Sequence, residues 1–255
     1  MENHRPFALS LAGFDPSAGA GILSDIKTFE AHDVQGLGVC TALTYQTADD
    51  FIGMNWMSAD VVTAQLLPLI EKYPLNALKI GIVENFHLMS NWIGLVKGFF
   101  PTCKVVLDPV FRASAGYDFH NETSIKWLDK VLQSVDIITP NYKEMEVLAN
   151  GGDPLKKAKE ISHSTHVLLK GGHNPTEKGN DILIYKGKET LIEGKEIDIF
   201  EKHGSGCVLS SSIASNLAHG HSIEKSCRLS KAYIEDFLMS DESKLGQHTF
   251  IKNHD

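Results

Sequence analysis

The 255-residue chain has four cysteines and no Cys-x-x-Cys pair, which excludes a thiolate metal knuckle and a dense disulfide framework. Reduced thiols in a cytoplasmic protein are therefore expected. Long apolar runs are missing as well: none approaches the roughly 18 residues of a spanning helix, and the run inside "MENHRPFALSLAG" is too short for a signal peptide. No membrane attachment is expected. Positive charge is in deficit, with 24 Lys+Arg against 32 Asp+Glu for a formal charge of -8, so the overall field repels nucleic acid. Neither a Walker A loop nor a G-x-G-x-x-G fingerprint occurs. No repeat, low-complexity tract or linker divides the chain. One domain over 1–255 is expected, with a polar tail from about Met239 loosely held.

What is present is alternation. Short, continuously apolar runs, "PFALSLAG", "GLGVCTALTYQ", "ALKIGIV", "KVVLDPV", "DIITPN" and "HVLLKGG", read as buried strands. Segments of helical period lie between them: Ile22, Ile26 and Phe29 in "AGILSDIKTFEAHD", then "SADVVTAQLLPLIEKY" capped by Ser58 or Asp60, "HLMSNWIGLVKGFF", "SIKWLDKVLQSV" and "KEMEVLA". Asp153-Pro154 is an N-cap followed by proline at the first helical position. "DILIYKGKETLIEG" reads as an antiparallel hairpin near a sheet edge. Two helices close the chain, roughly Gly206 to Ala218 and Ile223 to Leu238. Continuous apolar strands alternating with helices imply an α/β fold, a mostly parallel sheet covered on both faces.

Ligands of open parallel sheets bind at the carboxyl ends of the strands, where helix N-termini also point. There this sequence places "GFDPSAGAG", Gln46, Glu84, Asp108, Asn141 with Glu144, Lys170 to His173, and the turn "HGSGC". A glycine-rich turn opening a helix brings backbone N–H groups to an anion, although an ordinary helix start needs the same freedom. Asp108 and Glu144 are placed to reach a magnesium ion or to cap: Asn141 as N-cap with Glu144 three residues on is equally a capping pattern. Cys207, at a helix N-terminus, is expected to have a lowered pKa. Cys40 and Cys227 read as core.

In this order, "AGFDPSAGAGILSDIKTF", "TALTYQ", "KIGI", "VVLDPV", "ITPNYKEME", "LLKGGH", "DILIY" and "HGSGCVLSSSIASNLAHG" resemble the hydroxymethylpyrimidine and phosphomethylpyrimidine kinases of thiamine biosynthesis, within the ribokinase-like superfamily. The resemblance runs from about Phe7 to Tyr233. It implies a ribokinase-like three-layer sandwich, transfer of the ATP γ-phosphoryl to a pyrimidine alcohol and then to its monophosphate, Mg2+, and a homodimer. It also implies roles. Gly204, Ser205 and Gly206 would form the anion hole, and Cys207 would face the attacking hydroxyl as a base. Asp25 and Gln46 would bind the ring in a slot with Gly13, Ala20 and Ile82. Asn141, Lys170, His203 and Gly206 would serve ATP, and Asp108 and Glu144 the metal. The chain departs from the pattern at Phe14, Ala18, Ile82, Glu84, Asn85, Arg112, Ala113 and Lys202. The competing readings are a pyridoxal or pyridoxine kinase, against which Gln46 speaks as an amide able to pair with an aminopyrimidine edge, and a non-catalytic sensor of a vitamin precursor.

Overall fold

The computed structural model describes residues 5–110, 127–173, 179–195 and 200–251. Arg112 and Ala113, and the start of the helix expected at Ser124, lie outside them. The strands are β1 (Phe7–Phe14), β2 (Gln35–Gln46), β3 (Phe51–Trp56), β4 (Leu75–Ile80), β5 (Lys104–Leu107), β6 (Ile137–Ile138), β7 (His166–Leu169), β8 (Asp181–Tyr185) and β9 (Lys188–Ile192). The helices are α1 (Gly21–Ala31), α2 (Ala59–Lys72), α3 (Phe86–Phe99), α4 (Leu128–Leu132), α5 (Tyr142–Ala149), α6 (Pro154–Ile161), α7 (Ser205–Ala218) and α8 (Ile223–Leu238).

One sheet orders the described strands β3-β2-β1-β4-β5-β6-β7-β8-β9. From β2 through β7 every pairing is parallel, and β3, β8 and β9 extend the two edges antiparallel. The expected hairpin is β8–β9, turned by Lys186 and Gly187, both at positive φ. The edge strand β3 was not expected. "FIGMNW" carries Gly and Asn and no clean alternation, and Ile52 on it is 80% exposed, so neither signature of a buried strand is there.

Alternating side chains send the two sheet faces into two cores. Leu9, Leu11, Leu78, Ile80, Val105 and Leu107 meet α2 through α6. On the other face Ala8, Ala77, Val106, Ile137 and Leu168 meet α1, α7 and α8. The helices therefore lie in two layers about the sheet. α3 shows why they form: Asn85 caps it by accepting from Leu88 N, and Phe86, Met89, Ile93 and Val96 repeat on one buried stripe. Each such buried side chain contributes about 1.5–3 kcal/mol. Small residues on β1 and β4 let α7 approach closely, and α7 is buried from Val208 to Ala218.

β1 is at the switch point: α1 leads from it to β2 on one side, while the chain returns from β3 through α2 to β4 on its other side. The crevice beyond its carboxyl end is where α1 and α7 begin. The segment after α8, expected to be loosely held, makes defined contacts. Ile251 N donates to Ala31 O at 2.8 Å, the Tyr233 hydroxyl meets His248 Nδ1 at 3.0 Å, and a Cβ at Gly246 would lie 2.6 Å from the Phe237 ring.

Candidate active site

Two glycine-rich turns build the site by packing on each other. Gly204, the N-cap of α7, has φ +74, and a Cβ there would lie 2.0 Å from Gly19 O. Gly21, opening α1, has φ +60, and its Cβ would lie 2.2 Å from Gly13 O. Only glycine meets both demands, left-handed backbone and contact with a facing carbonyl. Asp15 fastens the first turn: it accepts from Ser17 N at 2.9 Å and Ala20 N at 2.8 Å, and His203 Nε2 meets its Oδ2 at 2.9 Å. Burial alone would raise the Asp15 pKa, but His203 and these donors hold it below the usual carboxylate range. The His203 ring is thus engaged with Asp15 through Nε2. Ala18 sits at φ 58, the left-handed conformation that glycine adopts at less cost.

Beneath the second turn lies a charged cluster. A Cβ built on Gly206 would lie 3.3 Å from Lys170 Nζ and 3.7 Å from Asp108 Oδ2. Lys170 Nζ stands 3.1 Å from Asp108 Oδ1 and 3.7 Å from Glu144 Oε2, so one ammonium spans both carboxylates. Thr139 and Ser210 donate to the two Asp108 oxygens at 3.3 and 3.2 Å. Burial would raise the Asp108 pKa, yet Lys170 and Lys79 bring it below its ordinary value. Glu144 goes the other way: burial pushes it up to about 7, with the Asp108 charge adding and Lys170 opposing. The capping pattern also forms, with Glu144 N donating to Asn141 Oδ1 at 2.9 Å and Asn141 N to Glu144 Oε2 at 2.7 Å. Asn141 is held beside Lys170 by a parallel bridge, so β6 and β7 deliver both residues to one place.

Cys207 follows the turn, half-buried, with the Gly21 N–H against its sulfur. The lowered pKa expected from its helix terminus is not found. Burial pushes the thiol up to about 11, and the Asp25 and Asp108 charges add to that while Lys79 and Gly21 oppose it. Desolvation by the packed turns outweighs the helix end.

Asp25 occupies a different setting from the one the resemblance implies. It is fully buried, accepts from Lys79 Nζ at 2.9 and 2.8 Å, and receives the Ser10 and Ser211 hydroxyls at 2.5 and 2.7 Å. Its oxygens are taken up within the fold. The Gln46 amide is half-buried at the end of β2 and donates to Thr44 Oγ1 at 2.9 Å. Ile82 covers Gly13, whose Cβ would lie 2.5 Å from Ile82 Cδ1, and Ala20 stands at the α1 entrance. Glu84 is exposed and Asn85 is the α3 cap, so neither changes the slot from within. Cys227 is in the core, whereas Cys40 is half-buried.

Sequence reasoning missed Lys79. It is wholly buried on β4; burial alone would lower its pKa, but Asp25 above all, then Cys207 and Asp108, raise it. The signal was legible, since a charge in the middle of "ALKIGIV" is costly unless it is paired. Asp15 and Ser210 were missed as well; Asp15 had a local signal, an Asp-Pro-Ser turn in which its carboxylate accepts from Ser17 N, whereas the Ser210 bond to Asp108 joins distant parts of the chain.

Comparison with known proteins gives the same picture. The model of the family described as phosphomethylpyrimidine kinase matches residues 15–252. The chain is 34% identical over 252 residues to a hydroxymethylpyrimidine/phosphomethylpyrimidine kinase of Aquifex aeolicus, covering 94% of this chain and 96% of the relative. A phosphomethylpyrimidine kinase structure from Clostridium difficile is 31% identical with a TM-score of 0.75, over 90% of this chain and 98% of that one. The pyridoxal kinase of Bacillus subtilis, in an ADP complex, has a TM-score of 0.85 at 24% identity, covering 97% and 98%; that likeness shows the ribokinase-like fold. Family match, identity and shared fold agree: this chain is a kinase and belongs to the phosphomethylpyrimidine kinase family.

Proposed function

We propose that the protein transfers the γ-phosphoryl of ATP to the hydroxymethyl group of hydroxymethylpyrimidine, and then phosphorylates the resulting monophosphate. The observation that carries the reading is the meeting of the Gly204–Gly206 turn with Lys170 and Asp108 at the switch-point crevice, with Cys207 beside it. A glycine-rich helix start with an ammonium close to Gly206 suits charge spread over a transferring phosphoryl. The alcohol oxygen bonds to the γ-phosphorus as the bond to the β,γ-bridging oxygen breaks, and ADP leaves. The thiol, neutral near pH 7, orients that oxygen. In a loose transition state the hydroxyl proton leaves late, to a phosphoryl oxygen or to water.

The carboxylates of Asp108 and Glu144 are hard oxygen donors of the kind that hold Mg2+ together with substrate phosphates. Their setting fits such an ion, since the two carboxylates share one ammonium, and burial together with the Asp108 charge pushes Glu144 up to about 7. Bound there, magnesium would neutralise phosphate charge. One sheet running through the described residues supports a single domain, with the segment after α8 as part of it. No described helix is long and apolar enough to cross a membrane, which fits the cytoplasmic location proposed here. Exposed Leu43, Tyr45 and Ile52 at the β2–β3 edge support a homodimer, and light scattering on the purified protein should give about twice 28.1 kDa; a monomer mass would remove it.

Phosphorus NMR of the reaction with Mg-ATP tests the activity. The reading predicts a phosphate monoester, then a diphosphate signal on the pyrimidine. ATP hydrolysis without either product would defeat it.

A further inference from the structure

Lys202, noted in the sequence as a departure, has a wholly buried side chain whose ammonium is embedded in the segment after α8. Its Nζ donates to the Asp241 carbonyl, to Asp241 Oδ1 at 2.9 Å and to the Ser243 carbonyl at 2.6 Å. Three oxygens of a short turn therefore surround one cation two residues before Gly204. The turn is shaped for it: Ser243 N donates to Asp241 Oδ1 at 2.8 Å and Ser243 Oγ to Leu245 O at 2.9 Å. Ser243 and Lys202 bring Asp241 down to about 2, so its carboxylate stays charged across the working pH range.

The same segment grips the turn again. His203 N donates to Lys244 O at 2.9 Å, and Leu245 Cδ2 lies 2.8 Å from where a Gly19 Cβ would stand. Lys244 reaches Asp49, between β2 and β3, at 3.1 Å. Residues 241–245 thus touch the α7 turn, the α1 turn and the β2–β3 turn, which together border the crevice.

We propose that Lys202 is a positioning residue: it ties residues 241–243 to the turn opening α7 and so fixes the Gly204–Gly206 N–H groups in the orientation that receives the phosphoryl. The ammonium supplies what that turn cannot supply itself. Gly204 has no side-chain cap, and a left-handed glycine is free to leave its conformation unless its flanks are held. A tether at Lys202, with the His203 N–H bond, holds the flank. Misplacing such donors by about 1 Å is enough to slow phosphoryl transfer by one to two orders of magnitude. The catalytic part of this inference rests on the proposed function; the tether itself does not.

The experiment compares wild type, Lys202→Met and Asp241→Asn by hydrogen–deuterium exchange and by steady-state kinetics on hydroxymethylpyrimidine. Met keeps the stem and removes the charge. The expected result is faster exchange confined to residues 203–206 and 240–246, with kcat lowered about tenfold or more and KM for the alcohol within about twofold. Asp241→Asn, which removes only a partly exposed charge, shifts both in the same direction by less and remains decisive should Lys202→Met unfold. Unchanged exchange at 203–206 in the folded variants overturns the tether, and unchanged kcat overturns the positioning role. A wild type that phosphorylates no pyrimidine alcohol defeats the proposed function instead, while the exchange comparison still decides the tether.

Discussion

At the scale of single residues the thiol is the point at which structure changes the chemistry. A helix N-terminus favours a thiolate, but Cys207 is closed in by two turns and two carboxylates, and its pKa rises to about 11. At pH 7 the thiolate is then a minority of about 10⁻⁴. Iodoacetamide labelling of Cys207, followed by peptide mass spectrometry, should accelerate about tenfold per pH unit from pH 7 to 10; a plateau by pH 8 would contradict the raised pKa. On the proposed mechanism the thiol orients rather than deprotonates, so Cys207→Ala should cost about tenfold in kcat, and a loss near 10⁴-fold would restore it as a base. Glu144 offers a second separation. Glutamine keeps the capping acceptor and drops the charge, so Glu144→Gln should melt within about 1 kcal/mol of wild type while KM for Mg-ATP rises about tenfold. Unaltered kinetics would leave Glu144 as a cap alone.

At the scale of elements, legibility followed period and capping. Ser58, Asn141 and Asp153 stand where the sequence marks them, because a cap is a local bond between a side chain and a backbone N–H a few residues on. β3 was not legible, since although it pairs with the preceding β2 through a short connection, it lies at an exposed edge without the alternation or continuous apolar run that marks a strand. Nor was the bond between elements that Lys79 makes. Its ammonium on β4, with Asp25 on α1, Ser10 on β1 and Ser211 on α7, joins four elements below the site. Lys79→Met leaves Asp25 buried without its partner and should destabilise by about 3–5 kcal/mol in chemical denaturation. Adding Asp25→Asn should recover part of that loss. A single mutant as stable as wild type would mean that the pair contributes no net stability.

At the scale of the whole molecule, a fold expected from alternation alone places β1 at the switch point and sends two helix N-termini into one crevice. The site was legible where glycine demands left a trace, at Gly13, Gly204 and Gly206, and where an acid or a lysine ended a strand, as at Asp108 and Lys170. It was not legible where contacts join distant parts of the chain: His203 with Asp15, Lys202 with Asp241, Asp25 with Lys79. The measurement that tests the account most directly is kcat/KM for ADP release on hydroxymethylpyrimidine beside pyridoxal, with saturating Mg-ATP and the same purified protein. The account predicts a ratio of at least about tenfold in favour of the pyrimidine, because a site that hydrogen-bonds one substrate discriminates against an analogue lacking the partner group. A ratio that favours pyridoxal would contradict it.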